Sequence, residues 1–573
     1  MRSKFILAAI TIAAILALGL GTGNPSAGRD TSVSAQETEM ATGGEASSAG
    51  DAVSRTPEEM QAAQAAISAA PIPAPTPEEL ASIAPKPADP AKLAAGKAAA
   101  DAAANEPNPG GDAAQAPAPA APPTLRGRNF EGNDINDNVF LAQPPDPHGA
   151  VGNTQVMQVT NSWITVRTKG SNTAGCLNVS LNAFFGKPLG SFANIIFDPR
   201  AEFDDTWDRW IVVATEFPDS SSVGDPAEFW IAVSKTANPC GAYWIWQPAI
   251  AGGPFTDNAG ELVDYPMVGY DANNVFVTWN HFDNGGYDTT AAVAVPKALL
   301  YNGFGWAVGV PFGFAFTLAP PVTYVADTSP RAYFLAADSF GGPCGAGVDF
   351  AQYSYDGISG WLFNGCVNTE NWGFPASIAQ PGVNDRLDSL DGRIQNRITQ
   401  VSGSLYAIHT SGNFAATPYF YRITASTRAV VAGGHFFEDG FSDEWNPSIA
   451  ANAAGDVFIS FSSASAGGGA PNRAKVMVIG CQVGVDCPAT GAGLLPTSWP
   501  NVAQGGTTLL TSPAVFDDGN ATVEVFRWGD YSQTHLDPQA YSACAVNRRA
   551  WGFNERSNAG DNWSTQIYRF GFC

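Results

Sequence analysis

Carboxylates, guanidinium groups and one imidazole recur in this chain at one kind of place, a turn-prone cluster just ahead of a narrow strand. Asp146 with His148, Asp198 with Arg200, Asp264, Arg331, Arg397, Glu444, and Arg527 with Asp530 and Tyr531 all sit so. Charged residues make up only 14% of the chain, so their return at these positions is informative. Hydrolysis of a glycosidic bond needs a carboxylic acid of raised pKa with a second carboxylate, or a tyrosine nucleophile. Asp198, Asp264, Glu444, Asp530 and Tyr531 are the candidates, with Arg331, Arg397 and Arg527 as a carboxylate clamp. Binding of an anionic or sugar-like ligand needs arginine forks and aromatic faces. Asp146, His148, Arg200, Arg331, Arg397 and Arg527 are the candidates for that role. The competing reading is structural, in which Asp and Arg cap turns and pair with backbone or neighbouring strands.

Two further loops, Asp204-Asp205-x-x-Asp208 and Asp283-Asn284-x-x-x-Asp288, are oxygen-rich in a way that calcium accepts. Neither matches an EF-hand, and solvated turns are the alternative. Calcium is the one cofactor the sequence suggests. His281, His409, His435 and His535 stand alone in sequence and read as core or loop residues. No Gly-x-Ser-x-Gly turn supports a serine triad, and no Cys/His spacing suggests zinc.

The elements that must position these residues repeat along the chain. Asp198 to Asp204 leads into Arg209-Trp-Ile-Val-Val-Ala-Thr215, and Asp264 to Asp271 into Asn274-Val-Phe-Val-Thr-Trp279. Trp445 to Ala450 leads into Asp456-Val-Phe-Ile-Ser-Phe461. Similar starts at His148, Ser329, Asn396 and Arg527 bring the number to seven. Each is a polar turn, a small-residue strand, a second turn and then a strand of large apolar residues. No unit can cover its own apolar face, so the units must stack. The expected fold is all-β, a single β-propeller of about seven four-stranded blades over residues 125–573. Six or eight blades, or two β-sandwiches, remain the alternatives. In a propeller, the residues ahead of each innermost strand ring one mouth of the central channel.

Several motifs carry a resemblance. Pro-Pro-Asp146-Pro-His148-Gly-Ala-Val-Gly, Phe-Asp198-Pro-Arg-x-x-Phe-Asp204 with Asp208-Arg-Trp210, Ala232-Val-Ser-Lys-Thr-Ala-Asn-Pro239, Asp264-Tyr-Pro and Arg527-Trp-Gly-Asp-Tyr-Ser532 occur in that order. Together they resemble a family of secreted bacterial proteins of sialidase-like β-propeller architecture and largely unassigned function, over roughly residues 140 to 573. The resemblance implies a propeller and leaves the activity open, because propellers host many functions. The Ser-x-Asp-x-Gly-x-Thr-Trp turn of sialidases is not found; Ser557-Asn-Ala-Gly-Asp-Asn-Trp563 only echoes it.

Composition bounds the partners. A net charge of −24 repels nucleic acid and anionic lipid. Arg2 and Lys4 precede an apolar run from Phe5 to Leu20, which reads as an export signal within residues 1–35, with a retained anchor as the alternative. No later segment is apolar enough to span a membrane. Residues 36–124 are rich in Ala, Pro and acids and read as a disordered tether, with Thr56-Pro57-Glu58-Glu59 and Thr76-Pro77-Glu78-Glu79 as local helix starts. The eight cysteines read as four disulfides of an oxidising compartment. The suggested pairs are Cys481–Cys487, Cys344–Cys366, Cys176–Cys240 and Cys544–Cys573. The leading expectation is a secreted or cell-surface monomer that binds an extracellular glycan or envelope surface, with no nucleic acid. A glycoside hydrolase of sialidase-like type is the alternative.

Overall fold

The computed structural model describes residues 38–39, 46–69, 87–103, 123–138, 143–190, 194–217, 228–251, 261–283, 286–324, 327, 329–412, 415–435, 442–467, 471–483, 507–516, 523–541, 544–558 and 562–573. The export signal, the repeat at Thr76 and Cys487 lie outside the described residues.

Antiparallel strands dominate. In a typical run, Ile196–Asp204, Arg209–Glu216 and Glu228–Ser234 pair in chain order. Trp210, Ile211, Val212, Val213 and Ala214 are all buried, so the central strand is apolar on both faces. Such a strand needs cover on both sides. Five sheets of four or five strands and the two halves of an eight-stranded sheet give seven antiparallel groups among the described residues. The first runs from His148–Val151 to Leu177–Ser180, the second from Ile196–Asp204 to Tyr243–Trp246, and the third from Leu262–Tyr270 to Gly286–Pro296. The fourth runs from Ala332–Ala336 to Trp361–Val367, the fifth from Ile398–Val401 to Ala429–His435, and the sixth from Asp443–Ala451 to Thr507–Thr511. The seventh holds Gln533–Leu536, Arg549–Asn558 and Asn562–Gly571, and takes its outer strand, Thr124–Asp134, from far back in the chain. Pro321–Thr323 runs parallel to strands of the third and fifth groups and links them into the eight-stranded sheet.

Apolar side chains pack between consecutive groups. Val159 and Met157 meet Phe203 and Trp210 between the first and second. Ile211 and Ile231 meet Val277 and Trp279 between the second and third, and Phe276 meets Phe334 between the third and fourth. Leu335 and Phe350 pack with Leu405 and Tyr421, and Tyr406 and Phe420 with Ile459 and Ile479. Trp445 of the sixth group joins Trp528 and Trp563. Finally Phe553 and Ile567 of the seventh pack on Val151 and Val156 of the first.

Three disulfides pair as expected: Cys176–Cys240, Cys344–Cys366 and Cys544–Cys573. Cys481 is also disulfide-bonded. Among the described residues no helix is long and apolar enough to cross a membrane.

The expected disordered tether is corrected where it is described. Val53–Arg55 extends the second group by pairing with Tyr243–Ile245, and Thr38–Glu39 pairs with Leu362 and Phe363 of the fourth. Ala46–Ala49 pairs with both Ala249–Ala251 and Trp306–Gly309. These strands cover sheet edges that would otherwise present unpaired backbone. Helix α1 (Pro57–Ala69) starts in a capping box, where the Glu59 N–H donates to Thr56 Oγ1 and the Thr56 N–H to Glu59 Oε2. It buries Met60 and Ile67 against Leu177, Val179 and Phe184. Helix α2 (Pro90–Ala103) is held by Lys92 Nζ on the Phe340 carbonyl (2.7 Å), by Lys97 Nζ on Ser389 Oγ (2.6 Å) and by Asp101, which accepts the Ser377 N–H (2.6 Å). Its Gly96 lies against the Phe374 ring, where a Cβ would come within 2.1 Å. Composition alone predicted disorder because so few apolar residues are available; the few present are placed where the β domain can bury them.

The fully buried Met60 gives a direct test. Met60→Ala is expected to cost about 2–5 kcal/mol in denaturant unfolding. A loosely attached segment would show a change within about 0.5 kcal/mol.

Candidate functional site

The innermost strands of several groups begin alike. Asp146, Asp198, Tyr265 and Asn446 each precede a proline and each has positive φ, between 44° and 53°. This left-handed step is costly for a residue with a side chain. Beside it the strand ladders slip register, between Asp264 and Met267 and between Trp445 and Ser448. Bulges of this kind re-aim side chains and free backbone groups for other partners.

Those partners lie in the other groups. Asn161 donates to Asp146 Oδ2 (2.6 Å) and accepts the Asp198 N–H (2.9 Å). Asp146 Oδ1 accepts the Asp530 N–H (2.6 Å), and Asp198 Oδ2 accepts the Tyr265 N–H (3.2 Å). The Tyr265 hydroxyl donates to the carbonyls of Gln395 and Asp530, both at 3.0 Å. Arg200 donates to the carbonyls of Pro266 (2.9 Å) and Gln395 (3.2 Å), and its guanidinium lies 3.2 Å from the centre of the Tyr531 ring. Tyr531 donates to the Pro199 carbonyl (3.1 Å). His148 accepts the Ala201 N–H at Nδ1 (3.1 Å), so its Nε2–H faces Asn396 Oδ1 (3.2 Å). Burial and the Arg200 cation hold this imidazole down to about 3, so it is neutral.

A small cavity opens beside this network. Asp146, Asp198, Asp264, Asp530 and Arg527 line it, with Asn138, Asn161 and Ser162. Its volume of about 30 Å³ suits a water-sized group and falls far below the ~300–1,000 Å³ of a typical ligand pocket. Burial, then Asp264 and Asp530, push the Asp198 carboxyl up to about 7. Burial, then Asp530 and Asp198, push Asp146 well above the usual carboxylate range. Burial raises Asp530 as well, against the pull of Arg527 and Arg393; Arg527 Nη2 donates to Asp530 Oδ1 at 2.7 Å. The Asp198 carboxyl can hold a proton near neutral pH, as a general acid must.

The structure brings together Asp146, His148, Asp198, Arg200, Asp264, Arg527, Asp530 and Tyr531 of the expected set. It corrects the others. Arg331 lies near the far end of the strand Ile398–Val401, where Gln400 donates to its carbonyl (2.8 Å), and its side chain pairs with Asp356 (3.4 Å). The starting motif at Ser329 opens Ala332–Ala336, and Ala319, just after Thr317 (φ 59°), bridges to Leu335 of that strand. Arg397 is fully enclosed, donating to Glu202 (2.7 Å) and to the carbonyls of Ile449 and Thr534. Burial would raise the Glu202 carboxyl, but Arg397 and then His535 hold it to about 2. Glu444 is buried in its strand, accepts from Ser463 Oγ (3.1 Å) and does not line the cavity. The carboxylate clamp is thus dismantled, with Arg331 and Arg397 bound elsewhere and Arg527 alone at the cavity.

The acidic loops do not fit calcium. Asp204 caps the turn through the N–H groups of Thr206 and Trp207, and its other oxygen meets Lys297 (2.5 Å) and Tyr301 (2.6 Å). Asp205 has its carboxyl raised by burial and then by Asp204, Asp208 occupies a turn with φ 52°, and Asp288 faces His281 (3.2 Å). Among the described residues no three His, Cys, Asp or Glu side chains gather as a metal set.

Three participants escaped the sequence reading. Arg393 forms a two-pronged ion pair with Asp391 and faces the Tyr265 ring at 4.7 Å. Asp391-Gly392-Arg393 was a visible signal, only four residues ahead of Arg397. Glu555 accepts the Gly529 N–H from within a strand, and burial raises its carboxyl well above the usual range. Tyr265 stood inside the quoted Asp-Tyr-Pro motif, but its hydroxyl reaches across to two other groups.

The sequence matches no protein-family model and no curated protein. Among solved structures, the chain is similar to an α-L-arabinanase of Penicillium chrysogenum at 9% identity and TM-score 0.34, over 80% of this chain and 99% of that one. A Trypanosoma rangeli sialidase matches at 10% identity and TM-score 0.29, over 66% of this chain and 55% of that one. A protein of unknown function from Dyadobacter fermentans matches at 9% identity and TM-score 0.35, over 66% and 95%. These are loose likenesses, and the function is read from the site itself.

Asp198 sets a pH test. Its folded-state value of about 7 exceeds the unfolded ~3.9, so its contribution to stability is complete below about pH 4 and is lost as pH rises through 7. His148 acts oppositely over part of this window, so a variant comparison is needed. Asp198→Asn should gain stability relative to the natural chain between pH 4 and 8, by a few kcal/mol in denaturant unfolding. A pH-independent difference would count against a protonated Asp198.

Proposed function

We propose that this chain is an exported, sialidase-like β-propeller of seven blades that works as a ligand- or surface-binding module through the acidic mouth of its axis. The seven antiparallel groups support the architecture, because each packs on the next and the seventh on the first. Two separate sandwiches would lack that last contact. In this reading residues 1–35 are the export signal, the strands Thr38–Glu39, Ala46–Ala49 and Val53–Arg55 cover outer sheet edges, and 125–573 form the ring. The disulfides accord with an oxidising, extracytoplasmic setting. The chain would act as a monomer on an extracellular glycan or envelope surface.

One observation carries the choice of a module. The cavity that Asp198, Asp264, Asp530 and Arg527 line holds about 30 Å³ among the described residues, room for a single hydroxyl or ammonium group. A hydrolase must place a ring between two carboxyls about 5–9.5 Å apart. The proton-holding Asp198 favours the second reading, a glycoside hydrolase, by supplying an acid near pH 7.

Chromogenic glycosides offered between pH 4 and 9, together with a glycan-binding array, separate the two. The module reading expects no turnover and binding that falls about tenfold in Asp264→Asn, the loss of one charge-assisted hydrogen bond. Turnover abolished by Asp198→Asn would establish the hydrolase instead.

A further inference from the structure

We propose that a groove between the N-terminal segment and the second strand group binds a small amphiphile bearing a carboxylate, with Arg55 as its anchor. The site is separate from the acidic mouth. Two adjoining cavities, of about 290 and 340 Å³, both have Arg55 and Gly186 in their walls. The first is apolar, lined by Ala63, Ala66 and Ile67 of α1 and by Leu189. The second mixes Trp230 and Trp246 with Gln247. Each approaches the size of a small-molecule site.

Arg55 is the informative residue. Its Nη2 donates to the Ala183 carbonyl (3.0 Å), while its buried Nε has no hydrogen-bond partner. Glu59 attracts the guanidinium from a distance, and Asp51, whose carboxylate accepts the Gly305 N–H (2.9 Å), shares the wall of the second cavity. Burial lowers its pKa and outweighs the opposing pull of Glu59. Lys187, on the same wall, is already paired with Glu216 at 2.7 Å. The guanidinium rests on the backbone of Gly186 (φ +87°), where a Cβ would stand 2.4 Å from Nη1. A planar fork with free donors matches a carboxylate in two-pronged fashion.

The rest of the ligand follows from charge. A chain of net charge −24 repels simple anions. A bound anion must therefore bring apolar surface, and the wall of Ala63, Ala66, Ile67 and Leu189 supplies the matching face.

The test titrates the full chain with decanoate and with decanol, following tryptophan fluorescence and heat. Decanoate should bind at least about tenfold more tightly than decanol, the value of a charge-assisted hydrogen bond. Arg55→Gln should abolish that preference while leaving decanol binding unchanged, and Arg55→Lys should keep part of it. Equal affinity for acid and alcohol, no binding of decanoate, or an undiminished preference in Arg55→Gln would each overturn the proposal. The acid–alcohol comparison uses the natural chain, so it decides the matter even if a variant folds poorly.

Discussion

A single amide joins the first strand group to the second. Asn161 holds Asp146 of its own group with its nitrogen and the backbone of Asp198 in the next with its oxygen. From there the bonding spreads. Asp146 takes the Asp530 N–H, Asp198 takes the Tyr265 N–H, and Tyr265 reaches the carbonyls of Gln395 and Asp530. Asn446 of the sixth group donates to the Gly529 carbonyl (2.7 Å). Buried donors and acceptors must find partners, and the left-handed residues that open these strands release backbone groups from the ladders. The side chains that satisfy them come from neighbouring groups, so strand geometry and inter-group contact are one constraint.

That constraint governs the electrostatics. Asp146, Asp198, Asp530 and Glu555 sit close together away from water, and all four carboxyls are shifted upward with burial as the leading cause. The ionised form is penalised by burial and again by its neighbours. The arginines relieve this only in part, because Arg200 and Arg397 are committed to carbonyls and to Glu202. The same carboxyls thus hold the strands together and present a proton-rich rim to the cavity. Both Asp146 oxygens are spent on these contacts, one on Asn161 and one on the Asp530 N–H.

Much of the arrangement was legible in the sequence. The polar clusters at Asp198, Asp264 and Asp530 marked strand starts, since polar turns and apolar strands alternate so regularly, and these three side chains line one cavity. Arg331 misled because its side chain is taken up by Asp356, which an arginine ahead of a strand does not reveal. Arg397 misled because an arginine before a strand looks the same whether it faces solvent or Glu202. Glu444 misled by position, since it is buried in its strand and held by Ser463 Oγ (3.1 Å). The N-terminal segment was hidden for another reason. Its strands Ala46–Ala49 and Val53–Arg55 are too short and polar to be recognised alone, and they form because a sheet edge is already waiting.

The account stands on the axial network being part of the cooperative fold. Native-state hydrogen exchange of the Asp198, Tyr265 and Asp530 amides addresses this most directly, since each donates to a side chain of another residue. The prediction is that they exchange only with global unfolding, as slowly as the core amides of Val212 and Val213. Exchange through local opening, orders of magnitude faster than that core, would contradict it.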